Sequence, residues 1–219
     1  MNEIKYTLLS DGRSDKALMN IIDWLFYQLL PQVPVQKQFA DFAFIPKPPP
    51  NDRLDQRILK ALELYPCDIV FVHRDAESSR LDDYQSRLTQ IQDSYDRTNQ
   101  FGATSKLVKV VPVRMMEAWL LIDEYAIKMA SGNRNNRMDL DLPPVNRLET
   151  IPDPKKMLDD LIKGASGLHS RRLDKLNVRE AVHRVAENID DFSKLRQMSA
   201  FNRFEVDLRR VLFELGFDV

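Results

Sequence analysis

Apolar residues fall into two alternating rhythms along the chain: short continuous runs, and longer stretches where they recur every three or four positions. The first run, Ile4-Lys5-Tyr6-Thr7-Leu8-Leu9, is rich in β-formers and stops at the polar turn Ser10-Asp11-Gly12, which predicts an opening strand. Ser14 then stands as N-cap before Leu18, Ile21, Ile22, Leu25 and Leu29, a helical stripe that ends ahead of Pro31. A partly alternating run over residues 33–45 predicts a second strand. It is closed by Pro46-Lys47-Pro48-Pro49-Pro50, which suits neither a ladder nor a helix. Leu54, Ile58, Ala61, Leu62 and Tyr65 predict a helix broken at Pro66. Ile69-Val70-Phe71-Val72 is too short for a buried helix and reads as a central strand covered on both faces. Leu81, Tyr84, Leu88, Ile91 and Tyr95 mark another helix, and residues 106–113, with Val108, Val110, Val111 and Val113, the next strand.

Strand and helix thus alternate, which predicts the α/β class. Parallel strands need crossover connections, and those crossovers cover a mainly parallel sheet on both faces. Met116-Glu117-Ala118-Trp119-Leu120-Leu121 predicts a short helix. Residues 131–154, rich in Asn, Asp, Arg and Pro, predict a linker or long functional loop. Asp153-Pro154 caps a helix through Leu158, Leu161 and Ile162, and Phe201, Phe204, Leu208, Val211, Leu212 and Leu215 form a long amphipathic face. The expected organisation is an α/β domain over 1–130, with a loop and helical extension over 131–219 packed on it.

Composition narrows the setting more than the chemistry. The 219 residues carry 32 Lys+Arg against 33 Asp+Glu, a formal charge of −1, so any contact with phosphates must come from a local basic patch or a bound metal. Cys67 is the only cysteine and reads as packing, because it has no disulfide partner and no His–acid arrangement beside it. With no basic–apolar leader and no apolar run near the ~20 residues that span a bilayer, the expected setting is cytoplasmic, without a membrane partner.

Ligands of open parallel sheets bind outside the carboxyl ends of the strands, and three such places carry acids. The first strand runs into Asp11-Gly12-Arg13-Ser14-Asp15, the central strand into His73-Arg74-Asp75-Ala76-Glu77, and the next through Pro112-Val113-Arg114 towards Glu117. If Asp11, Asp75, Glu77 and Glu117 converge, their repulsion calls for a cation among them, and hard oxygen ligands suit Mg²⁺ or Mn²⁺. Phosphoryl transfer or phosphodiester cleavage follows. The competing structural role is as plain: short acids after strands cap helices, and an acid in a first helical turn is favoured by the dipole.

A strand leading to an acid-glycine turn, followed by a strand ending in spaced acids, resembles the TOPRIM fold, whose motifs are Glu-Gly and Asp-x-Asp. Asp11-Gly12 and His73-x-Asp75-x-Glu77 stand at the matching positions. The string from Val111-Pro112-Val113 through Glu117-Ala118-Trp119-Leu120-Leu121-Ile122-Asp123, with Asp153-Pro154-Lys155 and the Phe201-containing tail, is similar to uncharacterised prokaryotic TOPRIM-like proteins. Their relatives include overcoming-lysogenization-defect nucleases and phage-defence effectors. The resemblance implies a nuclease acting on DNA or RNA, with catalytic Asp11, Asp75 and Glu77. The same three residues, with Glu117 and His73, would hold the metal, and an ATPase partner subunit or homo-oligomer is implied as well. Asp11 is one methylene shorter than the family's glutamate. His73 exchanges an anionic ligand for imidazole, which brings Mn²⁺ forward beside Mg²⁺.

Arg13 and Arg74 offer planar forks for a phosphate, with salt bridges to the same acids as the alternative. Arg171, Arg172, Lys175 and Arg179 form the densest basic group of the tail, which reads as a nucleic-acid contact or a solvated helix face. The alternative function is a catalytically degenerate scaffold or regulatory subunit of a defence complex, with a small-molecule phosphohydrolase as a third reading. No P-loop string is present.

Overall fold

The structure, a computed structural model, describes residues 3–99, 102 and 104–219. Its centre is a four-stranded, all-parallel sheet in the order β2-β1-β3-β4, built from β1 (Ile4–Leu9), β2 (Val35–Phe39), β3 (Ile69–His73) and β4 (Lys106–Val110). Tyr6 pairs with Ile69 and Leu8 with Phe71 across the centre. Alternation sends Tyr6, Leu8, Phe71 and Val108 to one core and Leu9, Val70, Val72 and Leu107 to the other.

The second core is closed by α2 (Leu54–Leu64) and α3 (Leu81–Asn99), through Ile58, Ala61, Leu88 and Ile91. The first is closed by α1 (Leu18–Leu29) and by the C-terminal helices α4 (Glu124–Ala130), α5 (Pro154–Ser166), α7 (Val178–Asn188) and α8 (Ser199–Glu214), while the one-turn α6 (Ser170–Leu173) buries no residue. Phe204 on α8 sits 6.1 Å from Phe71 of β3 and stacks on Trp119 at 6.0 Å, and Phe201 meets Trp119 edge-on at 5.4 Å. The tail therefore supplies one wall of the sheet's own core. Among the described residues, no helix is long and apolar enough to cross a membrane.

Several expectations shift locally. The strand predicted over 33–45 is confined to Val35–Phe39, an edge strand with one ladder and half-exposed side chains; the rest of the run turns away before the prolines. Ser14 is not an N-cap, because Arg13–Ala17 coils as a 3₁₀ turn whose start is tied by the Gly12 N–H donating to Asp15 Oδ2 at 3.1 Å. The 106–113 strand ends at Val110, as Pro112 cannot continue the ladder as a donor. The segment after β4 is a 3₁₀ turn, Met116–Leu120, and the α-helix begins only at Glu124, where Asp123 Oδ1 accepts the Ala126 N–H at 2.9 Å. Asp153 caps α5 as expected, with Pro154 in its first turn and Gly167 (φ 65°) as its left-handed stop.

One ion-pair group anchors α8. The buried Glu205 carboxylate accepts from Arg196 at 2.8 and 3.0 Å and from Arg209 at 2.9 Å. Burial alone would raise its pKa, but the two guanidinium forks outweigh burial and hold the carboxyl below its usual range. A depressed folded pKa means that the stabilisation is present above the unfolded value of ~4.3 and is lost as pH falls through the folded value. Glu205→Gln is expected to cost roughly 2 kcal/mol at pH 7, less than a fully buried pair because both arginines are partly exposed. The gap between variant and wild type should close as pH drops below ~4. Urea unfolding at pH 7 and pH 3.5 checks this; a gap of constant size would remove the carboxylate's charge as its source.

Candidate active site

The strand order reverses direction at β1, whose neighbours β2 and β3 are reached by connections running to opposite sides. The carboxyl ends of β1 and β3 therefore flank a topological switch point, where open α/β sheets bind ligands. The segments leaving those two ends are Ser10 to Asp15 and His73 to Glu77.

His73, the last residue of β3, is 2% exposed, and its Nδ1 lies 3.0 Å from the Val110 carbonyl. A carbonyl only accepts, so Nδ1 carries the proton and Nε2 faces the other way. Nε2 stands 3.8 Å from Asp15 Oδ2 and 3.6 Å from Asp75 Oδ1. The Met116 N–H donates to the same Asp75 oxygen at 2.9 Å, so Asp75 caps the 3₁₀ turn that carries the buried Glu117. The capping role read from the sequence is thus present at Asp75. Burial raises the pKa of Asp75; His73 and the Met116 N–H oppose the rise, and the negative fields of Asp15 and Glu77 add to it. Burial also raises Glu117, with Asp75 and Asp15 adding, while its own N–H and Lys155 oppose. Asp15, His73, Asp75 and Glu117 thus act on one another across a single edge. Among the described residues no arginine or lysine forms an ion pair with any of the three carboxylates.

The other predicted residues lie around this group. Asp11 Oδ2 accepts from Arg74 Nε at 2.9 Å, and Asp15, one helical turn further on, is the β1-side carboxylate that comes within 3.8 Å of His73 Nε2. Glu77 stands at the solvent side of the group. Its backbone is left-handed (φ 61°), its N–H donates to the Arg114 carbonyl at 2.9 Å, and its side chain is 73% exposed and 3.7 Å from Arg87. It touches the site only through its field at Asp75. Arg13 pairs with Asp41 at 2.5 Å and lies over the exposed ring of Phe44. Arg171 and Arg172 on α6, and Lys175 just beyond it, are exposed and form no ion pair among the described residues. Cys67 is part-buried and its thiol is pushed up by burial, in keeping with packing.

Two contributors were not singled out by the sequence reading. Asp15 belongs to the quoted acidic turn, but nothing in its spacing ranks it above Asp11. Arg57 on α2 is buried; its guanidinium donates to the Ser10 carbonyl at 2.7 Å and to Asn51 Oδ1 at 2.5 Å, and lies 5.1 Å from the Phe42 ring centroid. It ties the end of β1 to the proline loop. Its signal was available: Arg57 stands on the apolar stripe of Leu54, Ile58 and Ala61, where a charge needs a reason.

Among the described residues, no three His, Cys, Asp or Glu side chains stand close enough together to enclose a metal ion. The chemistry of the donor set nonetheless fits Mg²⁺ or Mn²⁺: three carboxylates, two raised by burial, and an imidazole whose free nitrogen faces two of them. Comparison of the chain with protein-family models, curated proteins and solved structures gives no match.

Proposed function

We propose that this chain is a metal-dependent nuclease of TOPRIM-like type that cleaves phosphodiester bonds in DNA or RNA. One observation carries the reading: Asp15 and Asp75 face His73 at the switch point of a parallel sheet, the buried Glu117 lies within the field of both, and none of the three carboxylates is paired to an arginine or lysine among the described residues. Such a group gains most from a divalent cation, and a divalent cation at this edge recruits phosphate oxygens.

Asp15 and Asp75 are the residues that would hold Mg²⁺ or Mn²⁺, with Glu117 and His73 Nε2 completing the set. A bound ion there supplies neutralisation of phosphate charge and acidifies water. The chain's own work is positioning. Val110 fixes the His73 tautomer, Met116 fixes one Asp75 oxygen, and Gly12 and Ser14 fix Asp15. Arg74, held by Asp11 beside this edge, is the nearest predicted fork for a phosphate. The reading carries with it a cytoplasmic setting, a defence role, and an ATPase or second copy as partner.

A second reading, a catalytically degenerate scaffold or regulatory subunit, is favoured by the Asp11–Arg74 pair, which engages the acid at the resemblance's first catalytic position. The test is incubation of the purified chain with plasmid, linear DNA and RNA in Mg²⁺ or Mn²⁺, with calorimetric Mn²⁺ titration alongside. Cleavage is expected with metal, none in EDTA, and none by Asp15→Asn. A well-folded sample that neither cleaves nor binds Mn²⁺ would establish the scaffold instead.

A further inference from the structure

A cleft of about 660 Å³ opens between the N-terminal end of α3 and one side of α8. It begins close to the candidate site. Ser79 and Arg80, on its rim, follow Asp75 by four and five residues, and Arg114 holds this stretch by donating to the Ser78 carbonyl at 3.4 Å and to Ser79 Oγ at 3.2 Å.

Two kinds of group line the cleft: guanidinium groups without a polar partner, and apolar side chains that are exposed or, at Tyr84, packed on the core beneath. Arg80 and Arg203 are exposed, and neither guanidinium has a hydrogen bond or ion pair among the described residues. The acids nearby are already engaged. Glu149 accepts from the backbone N–H groups of Ser199 and Ala200 at 3.2 and 2.9 Å, capping α8, and Asp207 is paired with Lys109 and Arg210. Two arginines against the single carboxylate of Glu149 leave the lining of the cleft positive on balance. Beside the arginines stand Leu81 and Val206, 70% and 62% exposed, and the half-buried Tyr84. The Tyr84 hydroxyl has no hydrogen-bond partner among the described residues. Burial pushes it up to about 12, so it is a donor near neutral pH; Arg203 opposes that shift, and Glu149 and Asp207 add to it.

Unpaired guanidinium groups suit phosphates, whereas a ring and two bare aliphatics suit base faces, which only an unpaired strand exposes. We propose that this cleft binds single-stranded nucleic acid and leads it to the edge carrying His73 and Asp75. The direction of travel rests on the nuclease reading; the binding does not.

The test is fluorescence anisotropy of a labelled 12-nucleotide single strand, and of the matching blunt duplex, in EDTA so that no cleavage intervenes. The single strand is expected to bind more tightly than the duplex. The Arg80→Ala/Arg203→Ala double variant is expected to bind about tenfold more weakly, with a salt slope flatter by about 1.4, since each phosphate contact to a single strand contributes roughly 0.7. Both arginines are on the surface, and a thermal melt checks that the variant folds. Unchanged binding by the variant, an equal affinity for duplex, or displacement by polyglutamate as readily as by unlabelled strand would overturn the assignment, the last marking an acidic-peptide site. If the strand binds through Arg80 and Arg203 but is not cut in Mg²⁺ or Mn²⁺, the cleft stands and the nuclease reading falls. Cleavage with binding indifferent to both arginines gives the reverse.

Discussion

Asp75→Asn is expected to lower metal-dependent cleavage by roughly 10²–10⁴-fold while leaving the metal-free protein at least as stable as wild type. An asparagine Oδ1 still accepts the Met116 N–H, so the cap of the Met116–Leu120 turn survives. What disappears is one negative charge from a buried edge where Asp15 and Glu117 already repel it. The cost returns when metal is added. Mn²⁺ at a hundred times its Kd stabilises a binding protein by about 2.7 kcal/mol, a shift that wild type should show and Asp75→Asn should not. Thermal melts with and without Mn²⁺, beside cleavage rates, check both halves. A variant that melts far below wild type without metal would make Asp75 a cap first and foremost, and one that still cuts at the normal rate would sink the site.

The fold was largely legible because its strands and helices obey different periods. The apolar run at 69–72 had no reading other than a doubly covered strand, and Val70 and Phe71 do enter opposite cores. Boundaries were less legible where proline or a tertiary partner decides them. The run over 33–45 carries apolar residues enough for a longer strand, but an edge strand is only as long as the ladder it finds on β1. The Met116–Leu120 turn is wound by its tie to Asp75, forty-one residues earlier, which no local propensity encodes. The site was legible as a place, the carboxyl edge of β1 and β3, and only in part as a set of residues. Asp75 lies beside His73 and within the field of Glu117, whereas Asp11 is paired with Arg74 and Asp15 is the β1-side acid nearer His73. Spacing alone cannot see that arrangement, because Arg74 reaches Asp11 only after the parallel pairing of β1 with β3.

Phe204→Ala is expected to cost about 3–5 kcal/mol, and the whole chain should respond, not α8 alone. The ring is buried among Phe71 of β3, Trp119 of the turn after β4, and Phe201, at centroid distances of 6.1, 6.0 and 5.9 Å. Its removal opens a cavity bordered by both the sheet and the tail, and neither can close it without moving the other. For a chain of this length each kcal/mol lowers Tm by roughly 2–4 °C, so a fall of ~6–20 °C follows. Both tryptophans report on the same join, Trp119 through Phe201 and Phe204 and Trp24 through Phe192 at 6.0 Å. Tryptophan fluorescence and far-ultraviolet circular dichroism should therefore give one coincident, shifted transition. If fluorescence changes first while most of the helical signal persists, residues 131–219 detach as a unit. The sheet would then have to stand without the wall that buries Phe71, and Glu117 would lose the packing of Trp119 beside it on the same turn.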